Sequence, residues 1–92
     1  MRSVHLEIIG DVQGVGFRWF VREAARRRGL AGWVKNRTDG SVELATSGDD
    51  DKVTAFVQDV RRGPRGARVE RVTELAHASL GALVHPFEIR QD

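Results

Sequence analysis

The chain has 92 residues, 40% hydrophobic and 30% charged, which is typical of a single globular domain and excludes a disordered chain. It contains no cysteine, which excludes disulfide bridges and thiolate metal sites. Its apolar runs are too short for a membrane span or a signal peptide, so we expect a cytoplasmic protein with no membrane partner.

Basic residues crowd two regions of the chain, although the formal net charge is only +2. Of the 15 basic residues, 13 are arginine. Such clusters can bind nucleic acid or attract anionic substrates, but solvated protein faces are the more common explanation, and we favour it here. The clusters are Arg22, Arg26, Arg27 and Arg28, and Arg61, Arg62, Arg65, Arg68 and Arg71.

The first predicted elements are a strand and a helix joined by a glycine-rich turn. Apolar residues alternate over residues 3–9, which predicts a strand, and the glycine-rich stretch of residues 10–18 follows it. From Phe17 onward apolar residues recur at helical spacing, and Gly29 is placed to end that helix. Trp19 falls outside the apolar stripe, so we expect it beside the turn or on the surface. Partial burial is the favoured interpretation of this side chain, and stacking on a ligand is the alternative.

The glycine-rich turn has the chemistry of an anion site. A helix N-terminus leaves about four backbone N–H groups unpaired and carries a partial positive charge, which favours phosphate. Glycines at positions 10, 14 and 16 permit positive φ and close approach of a ligand, and Arg18 adds a planar set of donors. The alternative is a tight packing turn beside a solvated arginine. The spacing matches neither the glycine motif of dinucleotide-binding folds nor the Gly-Lys-Ser/Thr phosphate loop. The turn by itself therefore predicts an anion site without indicating which anion binds or why.

A hairpin and a second helix come next. Strands are predicted at residues 30–35 and 41–46, joined by a turn that contains Asp39 and Gly40. Asp49 is a plausible N-cap for a helix whose apolar stripe runs from Val53 to the stop at Gly63. Three consecutive aspartates at this helix start favour capping over a metal site, because neighbours on a helix start do not converge on one ion.

The end of the chain completes a familiar order of elements. Residues 67–75 and 87–90 are predicted strands, and residues 76–84 form a link whose structure the pattern does not define. The order β-α-β-β-α-β with a short extra strand predicts a ferredoxin-like α/β two-layer sandwich with a mostly antiparallel sheet. The three histidines, His5, His77 and His85, lack the spacing of metal ligands.

Two stretches carry a resemblance to a known family. Residues 8–18 resemble the first signature of the acylphosphatases, and residues 32–36, followed by Gly40, Val42 and Gly48, look like the second. The resemblance covers nearly the whole chain as one acylphosphatase-like domain. Residues 76–84 match no family pattern, and residues 91–92 run past the usual end.

The resemblance implies hydrolysis of the carboxyl–phosphate bond of acyl phosphates, with inorganic phosphate as product and inhibitor. It implies that Arg18 and the backbone N–H groups of the preceding loop hold the phosphoryl group, and that Asn36 orients the attacking water. An anion cradle, one arginine and one water-positioning amide suffice for this chemistry, so we expect no metal and no cofactor, and we expect a monomer. The loop residues are Gln13, Gly14, Val15, Gly16 and Phe17.

Two alternative interpretations of the chain remain. A ferredoxin-like RNA-binding module should carry stacking aromatic residues on its central strands, where only His5 offers an exposed ring, so we expect no specific nucleic acid partner. A domain detached from a large carbamoyl-transfer protein is the second alternative. The 92-residue length favours a free-standing enzyme.

Overall fold

The computed structural model describes residues 1–76 and 83–91, so His77 and most of the undefined link at 76–84 lie outside the described residues. The order of elements agrees with the one predicted, and the first strand extends beyond its predicted ends. The elements are β1 (Arg2–Asp11), α1 (Phe17–Arg27), β2 (Ala31–Asn36), β3 (Val42–Gly48), α2 (Asp50–Arg62), β4 (Arg68–Glu74) and β5 (Glu88–Arg90).

The five strands form one sheet in the order β4-β1-β3-β2-β5. β1 pairs antiparallel with both β3 and β4, and β2 pairs antiparallel with β3. The short β5 pairs parallel with β2, where Val34 lies opposite Ile89. The predicted ferredoxin-like sandwich with a mostly antiparallel sheet and a short additional C-terminal strand is confirmed.

The core lies between the two helices and one face of the sheet. Alternate residues of β1, namely Val4, Leu6 and Ile8, are buried, as the period of a strand requires. Both helices contribute the apolar stripe that the sequence predicts, and Phe17 and Phe56 are fully buried in it. Burial of each such side chain contributes about 1.5–3 kcal/mol, so this face holds the two layers together.

Both helix ends predicted from the sequence are present. Gly29 has a φ of 66°, in the left-handed region. The N–H of Gly29 donates to the carbonyl O of Arg26 and that of Leu30 to Ala25, each at 3.1 Å, which is the Schellman arrangement. At the start of α2, Asp49 accepts a hydrogen bond from the Asp51 N–H at 3.0 Å. Among the described residues, no helix is long and apolar enough to cross a bilayer.

The first arginine cluster differs from a simple solvated face. Asp59 of α2 accepts from Arg28 and from Arg62, at 2.7 Å each. Arg26 donates from Nε to the carbonyl O of Phe87 at 2.8 Å. These contacts join α1 to α2 and to the segment before β5, so part of the cluster has a structural role. In the second cluster, Arg61, Arg62, Arg65, Arg68 and Arg71 are all exposed.

Gly32 marks a close approach between β2 and β3. Its φ is 143°, and a Cβ atom there would lie 2.0 Å from the carbonyl O of Ala45. No side chain fits at that distance without moving the backbone of the neighbouring strand. The requirement for glycine at this position therefore comes from sheet packing.

We expect Gly32→Ala to lower the free energy of unfolding by more than the about 1–3 kcal/mol that an unfavourable φ alone costs. Gly66→Ala is the matched control, since Gly66 has a φ of 94° and a Cβ there meets no atom within 4 Å. Urea unfolding of both variants measures the difference. Equal losses would show that the contact with Ala45 is unimportant.

Candidate active site

A cavity of about 160 Å³ lies where the loop between β1 and α1 meets the end of β2. The loop, the first turn of α1 and the end of β2 line it together with β5. The structure therefore brings the two predicted catalytic residues, Arg18 and Asn36, to one cavity. Its lining includes Gly14, Gly16, Arg18, Trp19, Asn36 and Ile89.

The three loop glycines have different roles. Gly14 and Gly16 have φ values of 78° and 77°, and an added Cβ would meet no atom within 4 Å, so the left-handed backbone is what favours glycine there. Gly10 lies at the irregular step in the pairing of β1 with β4, where an added Cβ would be 2.0 Å from the carbonyl O of Arg68. Gly10 therefore serves the sheet, and only the later two shape the predicted cradle.

The N-terminus of α1 presents unpaired donors to this cavity. The first hydrogen bond of the helix runs from the N–H of Phe20 to the carbonyl O of Gly16, at 3.0 Å. Within residues 1–76 and 83–91, no backbone N–H from residue 14 to residue 19 donates to another group. The first turn holds no acidic residue and no side chain caps it, whereas α2 starts with Asp49, Asp50 and Asp51. An anion is thus favoured at α1.

Arg18 adds a full positive charge to the same place. It is half-buried and lines the cavity, and it has no ion pair or hydrogen bond within the part of the chain that the structure describes. Arg28 and Arg37, by contrast, each contact a carboxylate. The guanidinium of Arg18 is therefore available for bidentate hydrogen bonding to an anion.

Asn36 is the last residue of β2 and also lines the cavity. Its side-chain Oδ1 is buried and has no hydrogen-bond donor among the described residues. An unpaired buried polar group costs about 1–3 kcal/mol, so packing gives no reason for an asparagine here. A chemical role at the cavity would supply one.

Gln13 joins the loop to the hairpin that carries Asn36. Its side-chain Nε2 donates to the carbonyl oxygens of Arg37 and Ser41, both at 2.8 Å. Arg37 in turn contacts Glu7 of β1 at 2.9 Å. The sequence indicated Gln13 only through its backbone N–H, so this side-chain role was missed. A single amide side chain in a glycine-rich loop was the one available signal.

The turn after Asn36 contains the carboxyl group of Asp39, whose pKa is lowered by hydrogen bonds from Ser41. The hydroxyl of Ser41 donates to Asp39 Oδ1 at 2.6 Å, and the Ser41 N–H donates to the same atom at 3.0 Å. Both bonds hold the pKa of Asp39 below its ordinary value, the hydroxyl more strongly. A carboxyl group with a lowered folded pKa stabilises the fold above its unfolded pKa of about 3.9, and this contribution is lost as pH falls through the folded pKa.

Ser41→Ala should raise the pKa of Asp39 toward the ordinary value, because the stronger of the two donors is removed. An NMR pH titration of the Asp39 carboxyl measures this directly. Thr38→Ala is the control, since it removes a hydroxyl from the same turn without removing a donor to Asp39. A midpoint unchanged by Ser41→Ala would contradict the assigned cause.

Metal binding has no obvious location in the described residues, which contain no group of three or more histidine, aspartate or glutamate side chains placed to hold an ion. His5 of β1 contacts Glu43 of β3 and the carbonyl O of Ala76, which follows β4, and it lies outside the cavity lining. Metal independence remains a prediction.

Comparisons with known proteins identify the family. The acylphosphatase family model matches residues 4–89. An acylphosphatase of Koribacter versatilis is 52% identical over 65 residues, which cover 71% of this chain and 59% of that protein. One from Bifidobacterium longum is 42% identical over 87 residues, covering 95% of this chain and 90% of that protein. The crystal structure of acylphosphatase from Bacillus subtilis gives a TM-score of 0.88 at 40% identity, over 98% of this chain and 99% of that chain.

These matches agree with each other and with the signatures at residues 8–18 and 32–36. The family model spans nearly the whole chain, and the structural match includes all layers of the sandwich. The family predicted from the sequence is confirmed, and the chain belongs to the acylphosphatase family of enzymes.

Proposed function

We propose that the protein hydrolyses the carboxyl–phosphate bond of acyl phosphates to a carboxylate and inorganic phosphate. Arg18 and the backbone N–H groups of residues 13–18 hold the phosphoryl group, and the Asn36 amide orients the attacking water. The observation that carries the proposal is the convergence on one cavity of an uncapped helix N-terminus, an arginine without a partner among the described residues and an unpaired asparagine.

The cradle suits the charge that phosphoryl transfer develops. In a loose transition state, charge spreads over the equatorial oxygens of the transferring group, so that positioning and electrostatic stabilisation supply most of the catalysis. Donors that are already oriented act without reorganisation at the moment of reaction. Gly14 and Gly16 permit the left-handed backbone that the loop adopts at these two positions.

The leaving group explains why the site can work without an acid or a base. A carboxylate leaves readily because its conjugate acid has a pKa of about 4, so no enzymic proton is needed. The attacking water can pass its proton to a phosphate oxygen late in the reaction. Water attacks in line with the departing carboxylate, which requires Asn36 to hold it on the far side of phosphorus from the acyl group.

The remaining expectations concern partners. The substrate is a small molecule, and inorganic phosphate inhibits by occupying the same cradle. We expect a monomer in the cytoplasm, without a specific nucleic acid or membrane partner. These expectations rest on the chemistry of the cavity and on the family, and each is open to direct measurement.

Arg18→Ala should lower kcat/KM by about 10³- to 10⁵-fold, because an arginine that stabilises phosphoryl-transfer charge is removed. Arg18→Lys should also lose most of the hydrolytic activity, since an ammonium group cannot make the bidentate contact with the phosphoryl oxygens. Steady-state hydrolysis of benzoyl phosphate measures both. Arg61→Ala, which changes an exposed arginine of α2, is the matched control and should keep full activity. More than a tenth of the wild-type activity in Arg18→Ala would overturn the proposal.

Asn36→Ala should separate turnover from binding. If the amide positions only water, kcat should fall by about 10²-fold or more, while inorganic phosphate still inhibits at a similar concentration. Loss of Oδ1 should not destabilise the fold, because this buried atom has no donor among the described residues. Loss of phosphate affinity at unchanged kcat would show instead that Asn36 binds the phosphoryl group.

A further inference from the structure

Two exposed apolar side chains flank the phosphate cradle. Among the described residues, the exposed large hydrophobic side chains are Met1, Val15 and Trp19, with 97%, 37% and 59% of their surface accessible. Met1 is the chain terminus. Trp19 lines the cavity, and Val15 lies between two glycines that line it. Exposed apolar side chains at a cavity that also contains Arg18 and Asn36 fit the usual make-up of a ligand-binding site, which combines apolar lining with a few polar groups.

Packing does not account for the indole of Trp19. The buried residues of α1 are Phe17, Val21, Ala24 and Ala25, and Trp19 lies off that stripe. The second tryptophan, Trp33, is only 6% exposed and has Lys35 Nζ and Arg90 Cζ at 5.4 and 5.1 Å from its ring centroid. Trp19 has no such cation or aromatic partner within the described part of the chain. A polar residue would serve a solvated helix position better.

The proposed position of the phosphoryl group brings the acyl group of the substrate toward Trp19. Arg18 and Trp19 are neighbours in the first turn of α1, and both line the cavity. A phosphoryl group held by Arg18 and the loop N–H groups must direct its acyl substituent away from the attacking water, which the proposed function assigns to Asn36. The side chains on the exposed margin of the cavity are then those that a departing acyl group meets.

We propose that Trp19, with Val15 beside it, contacts the acyl group of the substrate and gives the enzyme a preference for aromatic or bulky apolar acyl phosphates over small ones. The inference rests on the proposed function. A planar acyl group covers the indole face, and aromatic contacts contribute beyond the area that they bury. An acetyl group is too small to cover it. Trp19 is thus a specificity-determining residue.

The test compares kcat/KM for benzoyl phosphate and acetyl phosphate in wild type, Trp19→Ala, Trp19→Phe and Gln58→Ala. Trp19→Ala should lose about 10-fold on benzoyl phosphate and less than about 2-fold on acetyl phosphate. Trp19→Phe should keep most of the preference, because it retains an aromatic face. Gln58→Ala changes an exposed neutral residue of α2 and should leave both values unchanged.

A binding measurement removes the dependence on turnover. By titration calorimetry, benzylphosphonate should bind wild type more tightly than methylphosphonate, and Trp19→Ala should remove most of that difference without weakening methylphosphonate. Equal losses for both ligands, or an unchanged difference, would overturn the role of Trp19. If wild type hydrolyses neither acyl phosphate, the proposed function fails. Hydrolysis of both with unaltered selectivity in Trp19→Ala defeats this inference alone.

Discussion

The two hydrogen bonds from Gln13 to the hairpin are the contacts on which the site depends. One side-chain amide satisfies the carbonyl oxygens of Arg37 and Ser41, which lie 24 and 28 residues further along the chain. Arg37 directly follows Asn36, so these bonds set the distance between the glycine loop and the residue proposed to hold water. They add a direct contact between the loop and the hairpin to the pairing of β1 with β3 and of β3 with β2, which already places both segments in one sheet.

The two helices show how the same fold treats two N-termini differently. α2 begins with an aspartate cap and two further acidic residues, which satisfy its donors and its dipole within the chain. α1 begins at a left-handed glycine with no cap and no acid. Its unpaired donors cost stability that capping would recover, and in the proposed function a bound phosphoryl group would satisfy them. The contrast between the two helix starts is one of the observations that support this proposed binding role of α1.

Local patterns made most of the fold predictable. The apolar stripes of α1 and α2, the glycine at position 29, the Asp49 cap and the Asp39–Gly40 turn each have causes within a few residues, and each appears where expected. Contacts between distant segments were not predictable. The joining of two helices through Asp59, the bonds of Gln13, and the close approaches at Gly10 and Gly32 arise only after the sheet has assembled.

The residues of the candidate site also differ in whether the local sequence predicts them. Arg18 and the loop were recognisable because the strand, the glycines and the helix start adjoin in sequence. Asn36 was reached only through the family resemblance, because nothing near it in the chain indicates chemistry. The local sequence does not predict that its Oδ1 is buried without a hydrogen-bond donor, because this depends on the folded structure around the end of β2. The indole of Trp19 was expected near the turn or on the surface, and its place in the cavity lining needed the assembled structure.

The most direct test of the central claim is an NMR titration of the ¹⁵N-labelled protein with inorganic phosphate. We expect saturable shifts of the backbone amides of residues 14–19 and of the Asn36 side-chain amide, with the shifts lost in Arg18→Ala. Shifts confined to the exposed arginines between Arg61 and Arg71, or shifts that persist unchanged in Arg18→Ala, would contradict the assignment of the cradle to the start of α1.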